Sequence, residues 1–258
     1  MKKKITEKLR QIERDFGVKV LYACESGSRA WGVPSRNSDF DVRFIYVHQP
    51  EWYLSIDMKR DVIVLPIDEW LDINGWELRK TLQLFRKSNP PLMEWLHSSM
   101  VYEYDETFVK EIKEMAHTAF SPISCIQHYL HMAKGNYRDY LKQEKVRVKK
   151  YFYVLRPLLA CQYIEQYRQF PPIEFPFLVE QLLPQGELKE KIEQLLIRKH
   201  AGEKLDVEAR ISLLNAFIEE RIHHYENSVK KINSEPVDIT NKIDSFFQKT
   251  VKKHAIDI

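Results

Sequence analysis

Runs able to form β-strands are confined to the first third of this 258-residue chain, and that asymmetry limits its fold more than any other feature. Val18 to Cys24 and Phe40 to Val47 are runs of β-branched, apolar and aromatic residues, the first admitting charge at Lys19 and the second at Asp41 and Arg43. Asp61 to Leu65 reads as a third strand and Trp70 to Ile73 as a fourth, ended by a break at Asn74-Gly75. Ahead of them Ile5, Leu9, Ile12 and Phe16 recur at helical spacing, and Gly17 stands where that helix stops. Ser26 to Ser38, rich in Ser, Gly, Pro and Asn, is a loop with room for one helical turn.

Beyond residue 75 the period changes. Trp76 to Arg86 carries Leu78, Leu82 and Phe85 on one stripe, and Asn89-Pro90-Pro91 closes it, because the residue before a proline leaves the helical region. Helices are predicted over about 123–141, 146–170, 187–199, 206–231 and 239–253, with a kink at Pro157 and no further strand. Val207, Ile211, Leu214, Ile218 and Ile222 alternate by four and three, the stripe of a helix packed in a bundle. The fold class is therefore α+β: a mixed sheet with helices over residues 1–105, then an all-α helical bundle over 106–258.

Composition excludes several classes. Hydrophobic residues at 44% supply a core, and a formal charge of +3 with pI near 8.5 is too mild to mark a general nucleic-acid binder. Cys24, Cys125 and Cys161 are odd in number and far apart, which implies reduced thiols and a cytoplasmic setting. No stretch approaches the roughly 20 apolar residues needed to cross a bilayer, so no membrane partner is expected. His128 and His131 are three apart on a helix, but with no third ligand at recognisable spacing they read as structural.

Chemistry concentrates in Ser26-Gly27-Ser28-Arg29-Ala30-Trp31-Gly32 and Ser38-Asp39-Phe40-Asp41-Val42. Two residues apart on a strand, Asp39 and Asp41 point to one face about 7 Å apart, a separation that lets two carboxylates share a pair of divalent cations. Magnesium, or manganese in its place, suits such oxygen ligands. Gly27 lets backbone approach a phosphate, and the Ser28 hydroxyl with amides at a helix start can hold the terminal ones. In the helical half, Lys145, Lys149, Phe152 and Arg156 fall on one stripe with Tyr153 adjacent. Such a face either clamps a triphosphate and stacks a base or is simply solvated over a core of aromatics.

A Gly-Ser pair followed, after about ten residues, by Asp-x-Asp resembles the signature of the DNA polymerase beta nucleotidyltransferase superfamily. Cys24 to Gly32, Ser38 to Arg43, Asp72 to Lys80, Asn89-Pro90, Glu94-Trp95-Leu96 and Lys149 to Pro157 are similar to a branch that includes an RNA-ligase-associated, RNA-repair group. The resemblance spans roughly residues 18 to 160. It implies a nucleotidyltransferase-type sheet, metal binding at Asp39 and Asp41, and nucleotide binding at Gly27, Ser28, Arg29 and Ser38, with Lys149, Tyr153 and Arg156 contributing from the helical half. A third catalytic carboxylate is implied as well, and Asp72 and Glu77 compete for it. The implied reaction moves a nucleoside monophosphate from a nucleoside triphosphate to a hydroxyl, an RNA end being the first choice of acceptor and a small molecule or protein side chain the others. Two rivals stand beside it: a nucleotide-sensing or toxin-neutralising module without turnover, and a helical nucleic-acid binder.

Overall fold

The computed structural model describes residues 1–35, 38–67, 70–228 and 237–255. The chain forms two compact units, one from Met1–Ala30, Asp39–Ala119 and Val237–Ile258, the other from Trp31–Ser38 and Phe120–Pro236.

In the first unit α1 (Lys2–Phe16) buries Ile5, Leu9 and Ile12 and ends at Gly17, whose φ of 59° is left-handed. Then follow β1 (Val18–Glu25), α2 (Gly27–Ala30), β2 (Phe40–His48), α3 (Pro50–Tyr53), β3 (Val62–Val64), β4 (Leu71–Glu77), α4 (Leu78–Arg86), α5 (Pro90–His97), β5 (Val101–Tyr104) and α6 (Glu106–Ala119). The sheet order is β3-β4-β2-β1-β5. Only β2 and β4 run parallel; β1–β2, β1–β5 and β3–β4 are antiparallel. The apolar stripe of α1 packs on Val20, Ala23, Val42, Phe44 and Ile73, one face of the three central strands.

Three differences from the sequence reading have clear causes. Asn74-Gly75 is no break, since β4 runs through it to Glu77. Gly75 stands against Phe44 across the parallel pair, where a Cβ would lie 2.3 Å from the ring. The glycine serves close packing, not a turn. Strand β5 escaped notice because four half-exposed residues carry little periodicity, yet it pairs with β1 as an edge. The first unit also extends past residue 105. It takes in α6 and α12 (Thr240–Lys253), joined by the stacked rings of Phe108 and Phe246 at 5.4 Å and by Lys253 Nζ on Asp105 at 2.7 Å.

The second unit comprises α7 (Pro122–Tyr140), β6 (Lys145–Arg147), α8 (Lys150–Tyr167), α9 (Phe175–Leu182), α10 (Glu187–His200), β7 (Val207–Ala209) and α11 (Ser212–Ser228). Helix α8 is its axis, burying Tyr151, Phe152, Leu155, Leu158, Leu159 and Ile164. Pro157 lies within α8, which continues to Tyr167. The bundle is not purely helical: β6 pairs antiparallel with β7. Lys145, Val146 and Arg147 alternate exposed, buried, exposed, the period of a strand, so Lys145 leaves the expected helical stripe. Val207 likewise belongs to β7, and residues 229–231 of the predicted fourth helix lie outside the described residues. Tyr151 donates to Asn215 Oδ1 at 2.6 Å and accepts from Ile211 N at 2.9 Å, a buried polar knot tying α8 to α11.

Gly75→Ala is expected to destabilise the chain by about 1–3 kcal/mol, the cost of overpacking. Adding Phe44→Leu should recover part of that loss, a coupling that chemical denaturation of the two single variants and the double variant measures directly.

Candidate active site

Strand β1 delivers the chain to a tight crossing over β2. Ser26 N donates to Asp41 O at 2.8 Å, and Gly27 opens α2 with φ at 58°. A Cβ on Gly27 would lie 2.0 Å from Asp41 Oδ2. Gly27 is thus required twice, by its left-handed backbone and by the carboxylate against it. The Ser28 side chain is half-buried in this turn. Arg29 donates from Nε to Asp39 O at 3.0 Å and lays its guanidinium 3.8 Å over the Phe40 ring, fixing the entry to β2. Ser38 closes the preceding turn, its Oγ accepting from Ser35 N at 2.8 Å.

The parallel register pairs Asp41 with Asp72. Arg43 Nη2 donates to Asp41 Oδ1 at 3.2 Å and to Asp72 Oδ2 at 2.7 Å, while Nη1 reaches the Val42 and Asp72 carbonyls at 3.0 and 3.1 Å. Asp39 is exposed beside them. Burial pushes the Asp41 carboxyl above its ordinary range, Arg43 pulls it back, and Asp72 and Asp39 push it up again. Two neighbouring carboxylates therefore act on Asp41, and a single guanidinium bridges Asp41 and Asp72. Among the described residues no group of three or more His, Cys, Asp or Glu side chains could hold a metal ion unaided. The donors are all oxygen, the chemistry of a hard cation that keeps several waters and takes further ligands from substrate phosphates.

The structure separates the two candidates for the third carboxylate. Asp72 and Glu77 are five apart on β4, an odd spacing that sends them to opposite faces. Glu77 is 1% exposed and caps α4, accepting from Arg79 N at 2.7 Å, Lys80 N at 3.2 Å and the Tyr53 hydroxyl at 2.5 Å. Its place is structural, and strand parity shows it once β4 is seen to continue past Gly75 to Glu77. A residue that sequence reasoning missed lies on the other side of Asp41. Glu25, 0% exposed, accepts from Asp41 N at 3.0 Å and from the Tyr102 hydroxyl. Burial raises its carboxyl above the ordinary range, while these two donors lower it. An acid ending a strand that is apolar and buried from Val20 onward was the available signal.

Lys149, Tyr153 and Arg156 belong to the second unit. Lys149 is exposed at the start of α8. Tyr153 meets the Trp31 ring edge-on at 5.5 Å. Arg156 is 2% exposed, donates from Nε to Ile173 O at 3.0 Å and lies 4.6 Å from the Trp31 ring centre. It does not share an open basic face with Lys149, because the core of the unit encloses it.

A mixed five-stranded sheet that sets a glycine turn against the middle acid of a carboxylate set defines the nucleotidyltransferase class of the DNA polymerase beta superfamily. Within it the chain belongs to the RNA repair pathway DNA polymerase beta family (RlaP), whose pattern matches residues 1–249. It is 49% identical over 253 residues to the protein YcgL of Bacillus subtilis (strain 168), covering 98% of this chain and 97% of that one. A crystal structure of a nucleotidyltransferase-like protein from Exiguobacterium sibiricum 255-15 aligns with 96% of this chain and 87% of its own, at 13% identity and a TM-score of 0.30. No helix among the described residues is long and apolar enough to cross a membrane.

Glu77→Ala and Asp72→Asn should fail in opposite ways. The first removes a cap and a buried acceptor and should cost about 1–3 kcal/mol of stability with divalent-ion affinity unchanged. The second should leave the melting temperature nearly fixed and weaken Mn²⁺ binding about tenfold or more, as thermal denaturation and calorimetric titration can record.

Proposed function

We propose that the chain transfers a nucleoside monophosphate from a nucleoside triphosphate to a hydroxyl acceptor, with release of pyrophosphate. The observation that carries this reading is the contact of Gly27 with Asp41, in register with Asp72. Mg²⁺ or Mn²⁺ at Asp39, Asp41 and Asp72 would neutralise charge on the attacking and leaving oxygens. The protein's own part is positioning. Gly27, having no side chain, lets the turn close against the Asp41 carboxylate, and the Ser28 hydroxyl stands at the same turn to bond the triphosphate. Arg29 holds Asp39 and Phe40 in place through the Asp39 carbonyl. Glu25 fixes the height of β2 by gripping the Asp41 amide from beneath. Arg43 serves as the resident cation between Asp41 and Asp72, keeping both carboxylates in line before a divalent ion arrives. The acceptor we infer is an RNA end, supported by the family's RNA repair assignment.

That same arginine favours a second reading, a nucleotide-binding module without turnover, in which Arg43 keeps the carboxylates neutralised. Incubation with labelled nucleoside triphosphates, Mg²⁺ or Mn²⁺ and RNA or small-molecule acceptors separates the two. Transfer is expected, and its absence with every acceptor despite measurable nucleotide binding would leave the binding module. Asp39→Asn and Asp41→Asn should each fall below a tenth of wild-type turnover. Because burial and two neighbouring acids make the Asp41 charge unfavourable, Asp41→Asn should melt no lower than wild type. A Ser28→Val variant should lose triphosphate affinity while its affinity for Mn²⁺ alone holds.

A further inference from the structure

The second unit holds a group of cations that its own acids do not neutralise. Arg147 ends β6, Lys149 occupies the position just before α8, Lys150 is the first residue of α8, and Lys199 lies in the last turn of α10. Lys199 Nζ sits 5.2 Å from the centre of the Phe152 ring, in the first turn of α8. Lys150 Nζ lies 4.0 Å over Tyr140 and 4.9 Å over Tyr153. Cations from three elements thus gather around one helix start. Among the described residues none of the four has a carboxylate at ion-pair distance: of the acids beyond α10, Glu203 and Glu208 are both bound to Arg198, and Asp206, whose carbonyl accepts from Val148 N, makes no ion pair with any of the four.

This arrangement is unfavourable in two independent ways. Burial and then Lys149 lower the Lys199 amine below its ordinary range; burial, Lys149 and Arg147 do the same to Lys150. In addition α8 starts with no acid in its first turn and no side-chain cap. Cations therefore crowd the positive end of a helix dipole, where an acid or a Ser would stabilise it. What the site lacks is an anion carrying several charges over a short span. Phosphates supply that, and their oxygens accept from ammonium, guanidinium and helix-start amides alike.

We propose that Arg147, Lys149, Lys150 and Lys199 form a site for a run of phosphates, either the oligophosphate of a nucleoside triphosphate or successive phosphates of a single RNA strand. Sequence reasoning had only Lys149 of these four. The site lies wholly within the second unit and does not depend on transfer. Calorimetric titration of the full chain in EDTA, so that divalent ions play no part, tests it with inorganic tripolyphosphate, ATP and a single-stranded RNA dodecamer. Wild type should bind at least one of them with an affinity that falls as salt rises. Lys149→Glu and Lys199→Met, the latter keeping the stem over Phe152, should each weaken that binding tenfold or more, with melting temperatures unchanged or raised as repulsion is relieved. Binding of tripolyphosphate and ATP alone assigns the oligophosphate; binding of RNA assigns the strand. Three results would each overturn the proposal: no binding by wild type, affinities within twofold of wild type in both variants, or a lowered melting temperature in both. Asp41→Asn should retain the binding, so a loss of transfer in that variant bears on the reaction and leaves this site standing.

Discussion

The candidate site depends on β2 running parallel to β4, since that register alone sets Asp72 beside Asp41. A parallel pair cannot be joined by a tight turn, and residues 49–70, with α3 and β3, make the crossover. The pairing also brings Gly75 against Phe44, so the sheet closes over its core only where β4 lacks a side chain. On the opposite edge of β2 the antiparallel partner β1 brings Glu25 under the Asp41 amide and Gly27 over its carboxylate. Asp41 is thus held from both neighbouring strands, and the backbone, more than any loop, decides where its oxygens lie.

Much of this was legible in the sequence because it rests on short-range chemistry. The α1 stripe, the Gly17 stop, four of the five strands, β4 with its end too early, and the Gly-Ser and Asp-x-Asp segment all follow from local period and turn propensity. What escaped depends on partners distant along the chain. Gly75 reads locally as a breaker, and only Phe44, 31 positions earlier, makes it a packing residue. Glu25 looks like a solvated strand end until Tyr102 and the Asp41 amide supply its donors. Arg156 falls on a periodic stripe with Lys149, but helical period cannot say which side faces water, and Trp31 and Ile173 take it inward. The contest between Asp72 and Glu77 was decidable from strand parity once β4 was known to continue past Gly75.

Two places in this molecule gather charge of one sign. Buried polar groups such as Lys189, on Glu180 at 2.6 Å, and Tyr151, on Asn215, have partners of their own. At Asp39, Asp41 and Asp72 negative charges gather where the parallel strands β2 and β4 begin, and at the start of α8 charges gather with the opposite sign. Local disadvantage of this kind persists where a ligand relieves it.

The first unit is interrupted in the chain, its last helix arriving only after the whole of residues 120–236. Helix α12 stacks Phe246 on Phe108 and sets Phe247 against Tyr53, whose hydroxyl donates to the Glu77 cap. As the protein leaves the ribosome, residues 120–236 are therefore synthesised before α12 can pack on α6 and Tyr53. The sheet that carries the candidate site is encoded first, and α12, which braces it through Tyr53 and the Glu77 cap, is encoded after the whole of the second unit.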